Sequence, residues 1–291
     1  MPSEKRLRQR EGRQARQAEL RQAQQKSKKR RQYLVIAAAV VILGGAFFLL
    51  TRGGSKKKTV ATSTTSTTAA GSSTTAAAGG PPKATPVAAG AKLAKWACPN
   101  ADGSSPRTDQ FPATPPPTCI DPTKTYVAHL TTSEGNVDIA LDTKKTPQTA
   151  NNYVVLSLYH YFDGTSIDRI DTSIDILQTG SPKTQDIGDP GPGYTIKDEG
   201  TGFKYSDGDV VMARSSGADS GAAQYFFVVG AKASALDSQG TYVTFGKVTA
   251  GLDVLHKIEG LYVACNASDQ SCLGGAPSRV VTITKVTISA S

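Results

Sequence analysis

Eighteen consecutive uncharged residues, Tyr33–Leu50 (YLVIAAAVVILGGAFFLL), constrain this 291-residue chain more than any other feature. As a helix the run rises about 27 Å, close to the hydrocarbon thickness of a bilayer. A buried core helix is a poorer reading, because no polar residue lies inside the run and charges crowd both ends. A cleaved signal peptide is also a poorer reading. The basic region ahead of the run is too long, the run is long for such a segment, and no small-residue cleavage site follows closely. An uncleaved transmembrane helix over 33–50 is therefore expected. Residues 1–32 carry 12 Lys/Arg against three Glu, whereas only Arg52, Lys56, Lys57 and Lys58 follow the span closely. That asymmetry places the 1–32 tail in the cytoplasm and the rest of the chain outside.

Charge outside the tail excludes a familiar class of partner. The chain's net charge of +9 is already reached by residue 32. Residues 124–291 hold 13 Lys/Arg against 18 Asp/Glu, so the folded part is mildly acidic and no nucleic acid is expected to bind it. The tail itself has anionic lipid or nucleic acid open to it, but its simplest role is to set topology. The four cysteines (98, 119, 265, 272) and three histidines (129, 160, 256) form no closely spaced ligand pairs. No metal site is expected.

Residues 51–95 are mostly Thr, Ser, Ala, Gly and Pro, a composition that buries no core and reads as a flexible linker. Residues 96–123 remain rich in proline and turns but carry Trp96, Cys98, Phe111 and Cys119, and are expected to pack as an extension of the domain behind them. On the outer side of a membrane thiols oxidise. Of the three pairings that four cysteines permit, Cys98–Cys119 with Cys265–Cys272 is the simplest, since each closes a short loop. Free thiols are the alternative.

Residues 124–291 read as one globular domain. Short strands are predicted at Tyr126–Thr131, Val137–Leu141, Ile174–Gln178, Asp209–Ala213, Tyr225–Val229, Tyr242–Val248 and Val280–Ile288. Thr146 with Pro147 marks a helix start, and Ala150, Val154 and Leu158 recur every four residues, giving an amphipathic helix to about Tyr159. Leu252–Ile258 reads as a second short helix. The pattern is mainly β with two capping α-helices, which suggests a closed antiparallel barrel.

Seven segments in order resemble the cyclophilin family of peptidyl-prolyl isomerases. They are YHYFDGTSIDRI (Tyr159–Ile170), ILQTGSP (Ile176–Pro182), GPGYTIKDE (Gly191–Glu199), GDVVMA (Gly208–Ala213), AAQYFFVV (Ala222–Val229), ALD (Ala235–Asp237) and TFGKV (Thr244–Val248). The resemblance implies a cyclophilin-like barrel over 124–291. The longer loop between Arg169 and Gln178 is similar to that of membrane-anchored, actinobacterial-type cyclophilins, which implies a bacterial cytoplasmic membrane as the site of anchoring.

By the same resemblance Arg169 takes the catalytic arginine's position and Gln178 that of the glutamine that orients it. Phe226 matches the aromatic floor of the proline pocket. Gln224, Ile176, Met212, Ala213, Leu236 and Tyr242 match substrate-binding positions. No cofactor and no metal are implied, and the implied partners are proline-containing segments of extracytoplasmic proteins. Departures from the pattern also stand out. Ile167-Asp168-Arg169 replaces F-H-R, so Asp168 offers Arg169 a competing carboxylate. Arg214 stands where Asn is common, Ala235 where Trp is, and Tyr242 where the pocket histidine is. These departures leave an alternative open, a catalytically weak cyclophilin-like module that binds peptide or acts as a chaperone. A hydrolase finds no support, since Ser220 in GADSG is not a nucleophile elbow.

Overall fold

The computed structural model describes residues 80–291 except Ala267 and Gln270. The expectations for the tail 1–32, the span 33–50 and the linker as far as residue 79 lie outside the described residues. Among the described residues no helix is long and apolar enough to cross a membrane.

Strands β3 (Tyr126–Thr132) and β4 (Gly135–Leu141) form a hairpin about Ser133 and Glu134, as the turn signal predicts. Alternate residues Ala128, Leu130, Val137 and Ile139 face the core, following the two-residue period of a strand. Further on lie β5 (Thr165–Ser166), β6 (Arg169–Asp171), β7 (Ile176–Thr179), β8 (Asp209–Arg214), β9 (Gly221–Val228) and β10 (Thr244–Ala250). The chain ends with β11 (Tyr262–Ala264), β12 (Gly275–Pro277) and β13 (Thr282–Ala290). All pair antiparallel in the order β11-β12-β6-β7-β9-β8-β10-β4-β3-β13-β5.

β5 and β6 lie towards opposite ends of that order, yet only Ile167 and Asp168 separate them in sequence. The Ile167 N–H donates to Val281 O (2.9 Å) and the Asp168 N–H to Gln178 O (3.0 Å). The segment 165–171 thus leaves one edge and joins the other, and the sheet curls round the main core. Tyr153, Phe162, Tyr225, Phe227 and Phe245 fill that core, most of them edge to face.

Helix α1 (Pro147–Leu158) and helix α2 (Leu252–Glu259) fall where expected. Two details of α1 differ from the sequence reading. The Thr146 hydroxyl donates back to Asp142 O (3.0 Å) and makes no cap. Glu199, about fifty residues away, accepts from the Gln148 N–H (2.9 Å) and from the N–H and hydroxyl of Thr149 (each 2.7 Å). Its negative charge also suits the positive end of the helix dipole. Nor is α1 a helix with one wet face. Residues 149–157 are all buried, and Asn151 fastens the extension by accepting from the Cys119 N–H (2.7 Å) and donating to Pro117 O (2.9 Å).

The linker reading is corrected over residues 80–95, which lie along the domain. The Val87 N–H donates to Pro182 O and the Ala91 N–H to Arg107 O, both at 2.8 Å. Strands β1 (Ala91–Lys92) and β2 (Thr108–Gln110) form a separate parallel pair. Composition misleads here because backbone hydrogen bonds hold much of the segment, with Leu93 packed against the core. A Cβ at Gly90 would lie 2.9 Å from Arg107 O, so small residues are what allow the approach. The extension 96–123 is packed as expected, with Phe111 and Ile120 in the core. Cys98 is bonded to Cys119, and Cys265 to Cys272, the pairing read as simplest.

Candidate functional site

A row of paired residues crosses four strands. Arg169 on β6 is opposite Gln178 on β7, Gln178 is opposite Phe226 on β9, and Phe226 is opposite Val211 on β8. Directly paired residues share a face of the sheet. This row faces away from the main core, and its two-residue neighbours Ile176, Gln224 and Val228 face with it. A second apolar cluster forms there from Ile176, Val211, Phe226, Val228, Tyr205 and Ala233. Ile174, Ala213, Leu236 and Tyr242 pack against it. Above it opens a groove of about 500 Å³.

Eight of the nine expected site residues line that groove: Arg169, Gln178, Phe226, Gln224, Ile176, Ala213, Leu236 and Tyr242. Met212 does not. It alternates with Val211 and Ala213, so its side chain enters the main core, where its Cγ would meet a Cβ at Gly221.

A chain of polar contacts orients the arginine. Arg169 Nη1 donates to Gln178 Oε1 (3.0 Å), and Gln178 Nε2 donates to Gln224 Oε1 (2.7 Å). Arg169 Nη2 donates to Asp171 Oδ2 (2.6 Å) and Nε to Leu273 O (3.3 Å). The partner carboxylate is therefore Asp171, not Asp168. Residues two apart on a strand share a face, and adjacent ones do not. Burial opposes ionisation of Asp171, but hydrogen bonds from Ser173 and the charge of Arg169 outweigh it and hold its carboxyl below the usual range.

Asp168 points the other way. Both its carboxylate oxygens are out of solvent and have no hydrogen-bond partner among the described residues. Burial pushes its carboxyl up to about 7, opposed chiefly by the Ser181 hydroxyl beside it.

At the far end of the groove, Arg214 pairs with Asp198 (2.8 Å), donates to Thr241 Oγ1 (2.6 Å) and lies 4.6 Å over the Tyr242 ring. The Tyr205 hydroxyl accepts from the Tyr242 N–H (2.9 Å) and donates to Tyr242 O (3.0 Å), which fixes the tyrosine. Tyr194 also lines the groove, braced from behind by Trp96 and Phe111 of the extension. Sequence reasoning missed Asp171, Tyr194, Tyr205 and Leu273. Only Asp171 left a signal, its two-residue spacing from Arg169.

Sequence comparison meets this geometry. The profile of the family described as cyclophilin type peptidyl-prolyl cis-trans isomerase/CLD matches residues 127–288, more than half of the chain. The chain belongs to this family. Its mainly antiparallel sheet with few helices is the cyclophilin fold. It is similar to a probable peptidyl-prolyl cis-trans isomerase B of Mycobacterium tuberculosis, 33% identical over 196 residues, 62% of this chain and 58% of that protein. It is also similar to a peptidyl-prolyl cis-trans isomerase A of Dickeya dadantii, 32% identical over 139 residues, 47% of this chain and 72% of that protein. The chain thus spans well under two thirds of the mycobacterial relative's length. A solved cyclophilin of Cryptosporidium parvum aligns over 57% of this chain and 99% of its own, at 23% identity and a TM-score of 0.45.

Proposed function

We propose that this cyclophilin is a peptidyl-prolyl cis-trans isomerase acting on proline-containing segments of extracytoplasmic proteins. The observation that carries the reading is an oriented guanidinium beside an apolar pocket. An X-Pro amide resists rotation by about 18–20 kcal/mol because its nitrogen lone pair is delocalised into the carbonyl. Twisting localises that pair, so a donor aimed at the nitrogen favours the twisted form over either planar one. Phe226, Ile176, Leu236 and Tyr242 would hold the proline ring, and Arg169 would donate to its nitrogen. No cofactor enters this chemistry.

The rival reading, a peptide-binding or chaperone module with weak catalysis, draws on the fact that Asp171, Gln178 and Leu273 already engage Arg169. A guanidinium has five N–H donors. Three are used, which leaves one on each terminal nitrogen without a partner among the described residues. That favours the isomerase. The test is an isomerisation assay on the full-length chain. Arg169→Ala should lower kcat/KM about a hundredfold or more, by analogy with loss of an oxyanion-hole donor. Wild-type activity in that variant would reject the role. Peptide binding by a wild-type chain that has no activity would establish the rival.

The location belongs to the same proposal. A span over 33–50 behind a basic tail would hold the domain outside the cytoplasmic membrane. There the disulfides Cys98–Cys119 and Cys265–Cys272 would be stable, and unfolded secreted chains would be at hand.

A further inference from the structure

The loop closed by Cys265–Cys272 runs directly into the groove. Leu273, directly after the second cysteine, lines the groove and is 53% exposed, one of three large hydrophobics left open to solvent among the described residues. Its carbonyl accepts from Arg169 Nε at 3.3 Å. The next two residues explain why it sits there. Gly275 pairs with Ile170 on β6, and Gly274 has φ +80, with Ile170 O only 3.0 Å from where its Cβ would be. The two glycines let the β11–β12 hairpin lie against the strand that carries Arg169. The disulfide then closes the loop that joins the two strands of the hairpin, with Cys265 N–H donating to Gly274 O (3.2 Å).

An exposed leucine on the lip of a substrate groove, held by a covalent clamp, is poorly explained by stability. Its side chain gains little from burial that it does not have. We propose that Leu273 is a specificity-determining residue. It contacts the substrate residue next to the proline on the Arg169 side and favours an apolar side chain there. The Cys265–Cys272 bond is a positioning device that keeps the Leu273 carbonyl on Arg169. The proposal rests on the isomerase reading and names part of that site's substrate class.

Two variants separate the side chain from the clamp. Leu273→Ser removes the apolar contact but keeps the carbonyl and the disulfide. Cys265→Ser with Cys272→Ser keeps the leucine and releases the loop. Each is assayed as the full-length chain on short peptides that carry Leu, Ala or Glu at either position flanking proline. The wild-type chain should prefer Leu over Glu at one flanking position. Leu273→Ser should erode that preference through KM, raising it for the Leu peptide about fivefold, on the scale of a partly exposed hydrophobic contact. The double cysteine variant should instead lower kcat on every peptide, because Arg169 loses an anchor. Isomerisation with no flanking preference, or a preference unchanged in Leu273→Ser, overturns the proposal and leaves the isomerase reading intact. Absence of isomerisation on every peptide overturns both. Leu273→Ser alters an exposed position, so the test stands if the double variant does not fold.

Discussion

Asp168 and Arg169 are neighbours in sequence and strangers in space. The sequence suggests a competing ion pair, but the alternation of a strand sends the two side chains to opposite faces. Arg169 then finds Asp171, while the Asp168 carboxylate is turned out of solvent with no hydrogen bond among the described residues. This has a consequence for stability. Raising the Asp168 pKa from 3.8 to about 7 means that the native state holds a proton which the unfolded chain has released. Stability therefore falls as pH rises from about 4 through about 7, and is flat above that. A rise of that size corresponds to at most about 4 kcal/mol. Asp168→Asn should raise Tm at about pH 8, and the gain should vanish near pH 4. Thermal unfolding at the two pH values checks this, and a gain equal at both would contradict it.

Among the elements, helix α1 shows how a local signal reaches the right place for the wrong reason. Thr146-Pro147 marks the start correctly, since proline fits the first turn, where its missing N–H is not needed. The cap, however, comes from Glu199 across the fold. Glu199→Ala should therefore destabilise the protein by about 0.5–2 kcal/mol, the usual range for a lost helix cap, whereas Thr146→Ala should do less. Chemical denaturation of both variants checks the order. Equal effects would show that the distant carboxylate is not the operative cap. The β11–β12 hairpin is the converse case. Its strands are three residues each and left no period to read, yet they brace the strand of the proposed catalytic arginine.

At the scale of the whole molecule, the charge pattern predicts topology. A single pass with the 1–32 tail inside implies that a reporter fused after residue 291 is active only outside the membrane. Thiol labelling of intact cells, with and without a reductant, gives an independent check. A reporter active in the cytoplasm, or four alkylatable thiols without reductant, would reject the localisation. The extension and residues 80–95 also bear on what a working fragment is. Cutting at residue 124 would strip Phe111 and Ile120 from the core and Trp96 from behind Tyr194, so expression of 124–291 alone should give a markedly less stable protein.

Periodicity and ordered motifs determined much of this protein without coordinates: seven of the eleven strands from 126 onward, both helices, and a set of nine site positions of which eight line the groove. These were legible because strand alternation and helix spacing are local, and because Arg169, Gln178 and Phe226 each stand in a distinctive segment. Tertiary structure alone decided the rest. The partner of Arg169, the cap of α1, the bracing of Tyr194 by Trp96 and the place of Leu273 all join residues far apart in the chain or depend on which face a strand presents. Residues 80–95 defeated composition for a related reason. Backbone amides and carbonyls hold much of the segment in place, and every residue except proline carries both groups, whatever its side chain.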